Sequence, residues 1–322
     1  MTRSRVALLL VVVASAAAAI LWRRSSDGPA ATEPTPLEEP VWAVSPPADA
    51  PTGAPFVLGR APRPEVVRWS GTFSYGQAPS GRFGPEAPKA RRALAGTFTA
   101  LEATTGPASA RETVVKADFA LEDAAPPAAP ATRRFEARLS FVRDARGAVV
   151  HRSIRLDAPA EVLTQLELFQ AAFAQRFGPP PQAVRTGARI PIDDAIDVDD
   201  LLKRPLLFLF KERAPIDGWV TAPAEGGVWV VGRTGEGGAG RATLAVALTH
   251  AHAGENGPKG ANAVRVDYRA KLEGRRTFDL ADGRVTAHEL SIARRIGYAS
   301  HDFDYAVLVR SRIEMAEDGP AK

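Results

Sequence analysis

His250 and His252, separated only by Ala251, are the first residues in this chain whose type and spacing suggest chemistry. On a strand, side chains two apart share a face, so both imidazoles would point the same way. Zinc takes three or more such ligands, and Glu255, His288 and His301 are the residues able to complete a set. Asp193, Asp194, Asp197, Asp199 and Asp200 place five carboxylates within eight residues. Calcium takes oxygen donors of that kind, but the Gly and terminal Glu of an EF-hand loop are missing. Capping of a helical turn at Leu201 accounts for part of the cluster without a ligand. His250, His252, Asp197 and Asp199 are therefore weak metal candidates; no metal is favoured and no cofactor is expected.

The remaining motifs lose their meaning in context. Gly235, Gly237 and Gly240 fit GxGxxG, yet Leu244, Val246, Leu248 and His250 alternate behind them as a strand. A dinucleotide site needs a helix there and an acid about 20 residues further on, so the motif reads as a hairpin. Ser74 lies one residue out of register for a GxSxG elbow, and SxxK, HExxH and P-loop patterns are absent. Arginine doublets occur at Arg91-Arg92, Arg133-Arg134, Arg275-Arg276 and Arg294-Arg295. Neighbours on a strand face opposite ways, so a doublet makes no patch by itself. An anionic partner such as lipid headgroups stays open.

Charge narrows the partners further. The chain carries 41 Lys and Arg against 37 Asp and Glu, a net +4. Arg3, Arg5, Arg23 and Arg24 supply all of that excess, so the body from residue 25 onward is neutral. A neutral body has no global field for a polyanion, which argues against nucleic acid. Cysteine is absent, which excludes disulfides, thiolate metal sites, a Cys nucleophile and a lipidated Cys.

The elements that must position these residues are mostly strands. Val67, Trp69, Phe73 and Tyr75 alternate with polar residues, as do Phe135, Ala137, Leu139 and Phe141. Val264, Val266, Tyr268, Ala270 and Leu272 repeat the pattern, and Phe303, Tyr305, Val307, Val309 and Ile313 line one face of the last strand. One apolar and one charged face is the mark of antiparallel strands buried on a single side. Turn residues fall at Asp144–Gly147, Gly254–Gly257 and Asp282-Gly283. One segment breaks the period: Leu163, Leu166, Phe169, Phe173 and Phe177 predict a helix over 160–177, capped by Asp157 and stopped by Pro179. Leu206–Phe210 is a buried strand or helix too short to span a membrane.

Residues 6–22 are 17 uncharged, apolar positions ending in Trp22, about the minimum for a ~30 Å hydrocarbon layer. They predict an N-terminal apolar helix within residues 1–24, holding the protein in the inner membrane with its domain in the periplasm. The competing reading is a signal peptide cleaved at Ala14-Ser15-Ala16. Ten prolines across 25–64 predict an extended linker. A β-rich domain fills 65–315, with 65–158 and 183–315 readable as two similar halves around the helix. Residues 316–322 form a tail.

This layout, with Gly187-Ala188-Arg189-Ile190, Gly218-Trp219 and Asp282-Gly283-Arg284-Val285, resembles uncharacterised exported bacterial β-proteins. More distantly it is similar to half-barrel lipoprotein carriers of the envelope. That resemblance implies a curved sheet covering a helix and holding acyl chains.

The expected fold is mainly β: a curved antiparallel sheet, half-barrel or pair of sheets with helix 160–177 on its concave face. The expected function is non-catalytic binding of an apolar ligand or lipid-bearing partner in the envelope, at Val266, Tyr268, Phe303 and Tyr305. A solid envelope scaffold is the rival, and a metal-dependent hydrolase at His250 and His252 the third reading.

Overall fold

The computed structural model describes residues 40–44, 51–58, 65–82, 92–106, 110–123, 132–144, 149–156, 167–174, 182–192, 217–221, 224–235, 240–256, 264–281, 283–299 and 304–318. Its strands are β1 (Thr52–Leu58), β2 (Glu65–Arg82), β3 (Arg92–Thr105), β4 (Ala110–Asp123), β5 (Thr132–Asp144) and β6 (Val149–Leu156). Helix α1 (Glu167–Ala174) follows, then β7 (Gln182–Thr186), β8 (Arg189–Ile190), β9 (Asp217–Thr221) and β10 (Glu225–Thr234). The chain closes with β11 (Arg241–Asn256), β12 (Val264–Asp279), β13 (Val285–Ala299) and β14 (Asp304–Glu317).

The protein is mainly β, as the period-two pattern requires, and its large antiparallel sheet is open. The order runs β6-β5-β4-β3-β2-β14-β13-β12-β11-β10-β8, with β9 added beside β11. Two meanders, β2 to β6 and β10 to β14, are joined by one pairing of the first long strand with the last, Phe73 opposite Ile313. β12 turns into β13 through Gly283, at φ 72°, whose N–H donates to the Asp279 carbonyl at 2.8 Å. Glycine takes that backbone conformation without Cβ strain.

One face of the sheet is the core. Trp69, Phe73, Phe119, Phe141, Leu244, Leu272 and Ile313 are buried on it, and α1 lies on the same face. Phe169 stacks edge-on against Phe98 and Phe119, with centroids 5.0 and 4.8 Å away, and Phe173 meets Trp69 at 6.0 Å. Arg143 of β5 donates to the Phe173 carbonyl at 3.0 Å. His288 of β13, on the other side, is buried facing the backbone of Ala172. β5 and β13 are five strands apart, about 24 Å on a flat sheet. Side chains from both come up against neighbouring residues of one helix turn, so the sheet curls around α1.

The structure corrects several expectations. Helix α1 is described over Glu167–Ala174, inside the expected 160–177; Asp157, Leu163, Leu166, Phe177 and Pro179 lie outside the described residues. Residues 52–58, within the stretch read as linker, form β1 instead. Pairing with β7, as in Phe56 opposite Val184, satisfies its backbone, and Phe56 and Leu58 join the core. Residues 40–44 lie on the outer face, where Lys271 Nζ donates to the Val41 carbonyl at 2.7 Å. Outward-facing Ala293, Ala306 and Leu308 are buried near that contact.

Inner-membrane anchoring with a periplasmic domain is also corrected. Among the described residues no helix is long and apolar enough to cross a membrane. Eight-residue α1 spans about 12 Å against the ~30 Å required. Residues 6–22, on which the expectation rested, lie outside the described residues.

Candidate functional site

The end of the concave face beyond α1 gathers most of the expected site residues that can be placed. β11, β12, β13 and β14 pair without a break there: His252 is opposite Tyr268, Tyr268 opposite Ile296, and Ile296 opposite Val307. One step along, His250, Ala270, Arg294 and Val309 form the next row. Rows of this kind exist because residues directly opposite on neighbouring strands share a face.

Burial is graded across the rows. Val266 and Tyr268 are each 1% exposed, and His250 and Arg294 are buried. Ile296, Val307, Val309, Tyr298 and His252 are half-buried. The concave face is therefore sealed at β12 and partly open towards β13 and β14. Tyr305 stands in β14 opposite Tyr298, while its side chain, Phe303, His301, Asp197 and Asp199 lie outside the described residues.

The two histidines meet as strand geometry demands. The Nε2 atoms of His250 and His252 are in direct contact, with rings at 83° and centroids 4.1 Å apart. Tyr268 packs 5.9 Å from the His252 ring. His288 lies far from this pair, because Leu248 and Val246 with their partners separate the rows. Among the described residues no group of three or more His, Asp or Glu side chains converges on one point. Gly235 and Gly240 flank the turn between β10 and β11, with Thr234 opposite Arg241, so the GxGxxG match is a hairpin.

Sequence reasoning missed the buried polar groups nearer α1. Arg276 donates from Nε to His288 Nε2 at 3.1 Å. Burial lowers the Arg276 guanidinium to about 10. Burial, and then the Arg276 charge, hold His288 well below its usual value, against a smaller upward pull from the Ala172 backbone. Arg143 donates to Thr113 Oγ1 at 3.1 Å and, through the Phe173 carbonyl, satisfies the C-terminal turn of the helix. Trp69 Nε1 donates to Glu102 at 2.9 Å. Parity was the available signal: Arg143 continues the inward series Phe135, Ala137, Leu139 and Phe141, and Arg276 continues Val266 to Leu272.

Two shallow grooves open on the outer face, bordered by Thr72, Arg275, Glu289, Ser291, Arg312 and Glu314. Arg312 bridges Glu289 there at 2.8 Å.

No protein-family model and no curated protein matches this chain. Solved structures that it resembles include the β domain of the Bordetella autotransporter BrkA, at 12% identity and TM-score 0.23. That match covers 78% of this chain and 98% of the other. A mutant porin of Rh. blastica matches at 10% identity and TM-score 0.20, covering 78% and 100%. Likeness at this level carries no argument about the activity of the chain.

Proposed function

We propose that this is an envelope protein whose open concave end binds an acyl chain, free or carried by a partner, without catalysis. The observation that carries the reading is the burial gradient from Val266 and Tyr268, sealed, to Ile296, Val307 and Val309, half-covered on the same face. A ligand lying along β13 and β14 would remove the remaining apolar surface from water at about 25 cal/mol per Å². The competing scaffold reading draws on β6, which among the described residues is an edge strand paired only by β5, because edges of that kind add strands from partners.

The test is titration of the protein with a fluorescent fatty acid, beside the variant Val307→Glu. Saturable binding near one molecule per chain, weakened at least tenfold in the variant, is expected from a carboxylate placed in an apolar site. Binding absent from the wild type, or indifferent to the substitution while the variant keeps its β-sheet circular dichroism, would transfer the function to the scaffold reading.

A further inference from the structure

On the outer face, opposite the candidate site, the strand register lines up Arg68, Leu101, Lys116, Arg138 and Arg155, each directly across from the next on β2, β3, β4, β5 and β6. All five side chains are exposed. Lys116 faces Arg138, and Arg138 faces Arg155, with neighbours about 5 Å apart. Like charges directly opposite one another lower the stability of a sheet, so folding alone gives no reason for such a line. The acids stand elsewhere: Asp118 faces Glu136 one row further along, Glu112 lies two rows to the other side, and Asp318 accepts from Ser70 Oγ at 2.6 Å. Between the cations and Glu112 runs an uncharged row of Val66, Ala103, Val114, Ser140 and Ser153, in which Val66 is 68% exposed; Leu101, within the cation row, is 41% exposed.

We infer that this row docks the domain on an anionic membrane surface, with Arg68, Lys116, Arg138 and Arg155 at the phosphates and Leu101 and Val66 reaching the interface. The chemistry is complementary on both counts: each cation near a negatively charged bilayer adds binding, and apolar side chains beside cations are what the headgroup boundary accepts. The site stands on the opposite face from the acyl-binding end and does not depend on it.

The experiment is sedimentation of the full chain with phosphatidylglycerol vesicles and, separately, with phosphatidylcholine vesicles. Residues 6–22 are common to every sample, so a difference between the lipids reports on charge. Preference for phosphatidylglycerol, loss of that preference at high salt, and a roughly fivefold weakening in each of Lys116→Gln and Arg138→Gln are expected. Glu136→Gln should bind more tightly. Thermal unfolding of the same variants separates lost binding from lost fold, and neither neutralised cation should lower the midpoint. Equal binding to the two lipids, or variants that bind as the wild type does, would overturn the inference. Retention on heparin with no preference between the vesicles would also overturn it, reassigning the row to a chain-like polyanion.

Discussion

His288 is enclosed between the Arg276 guanidinium and the last turn of α1, so its proton is coupled to folding. In the unfolded chain it takes a proton near the ordinary value of about 6.5; in the folded protein it does so only well below that. Between the two, the unfolded state binds more protons, and stability rises with pH. The contribution is complete above about pH 6.5 and is lost as the pH falls. Urea unfolding at pH 8, 6 and 5 is expected to show the decline, at up to about 1.4 kcal/mol per pH unit from this residue. His288→Gln keeps an acceptor for Arg276 but cannot titrate, and should flatten the decline. A variant as pH-sensitive as the wild type would assign the proton elsewhere.

At the level of elements, the sheet bends over α1 where small residues let its aromatics in. Gly71 of β2 faces Met315, and a Cβ there would meet the Phe98 ring at 2.7 Å and the Glu314 carbonyl. Gly232 of β10 has open space at the same point. Gly71→Ala is expected to cost about 1–3 kcal/mol through overpacking, whereas Gly232→Ala should stay within about 0.5 kcal/mol. Urea midpoints of the two variants make the comparison, and equal effects would remove the close approach of Phe98 as the reason for the glycine.

For the whole molecule, the pairing of β2 with β14 decides whether there is one core or two fragments. It joins residues about 240 positions apart, Phe73 with Ile313 and Trp69 with Glu317, and without it the two meanders share no strand. Long-range pairing of this kind must be closed before it is rewarded. Truncation after Ala299 is therefore expected to abolish cooperative folding altogether, seen as loss of protease resistance across both meanders. A truncated chain whose first meander stays resistant would mean that β2 to β6 fold alone.

The sequence by itself determined which side of each strand is buried, because a period of two is a local property of the chain. Val67, Trp69, Phe73 and Tyr75 read correctly, as did Phe135 to Phe141, Val266 to Leu272, the shared face of His250 and His252, and the hairpin at Gly235 to Gly240. The core portion of α1 was legible from Phe169 and Phe173 for the same reason. Register was not legible, since it is fixed between strands distant in the chain. The doublets at Arg91, Arg133, Arg275 and Arg294 drew attention, whereas the outward row of Arg68, Leu101, Lys116, Arg138 and Arg155 arose from residues each unremarkable in its own strand. The capture of β1 by β7 was hidden likewise, because a proline-rich segment looks extended whether or not a partner edge waits for it. Only the tertiary structure decided these, because cross-strand neighbours are set by the order and offset of pairing, which no short window of residues contains.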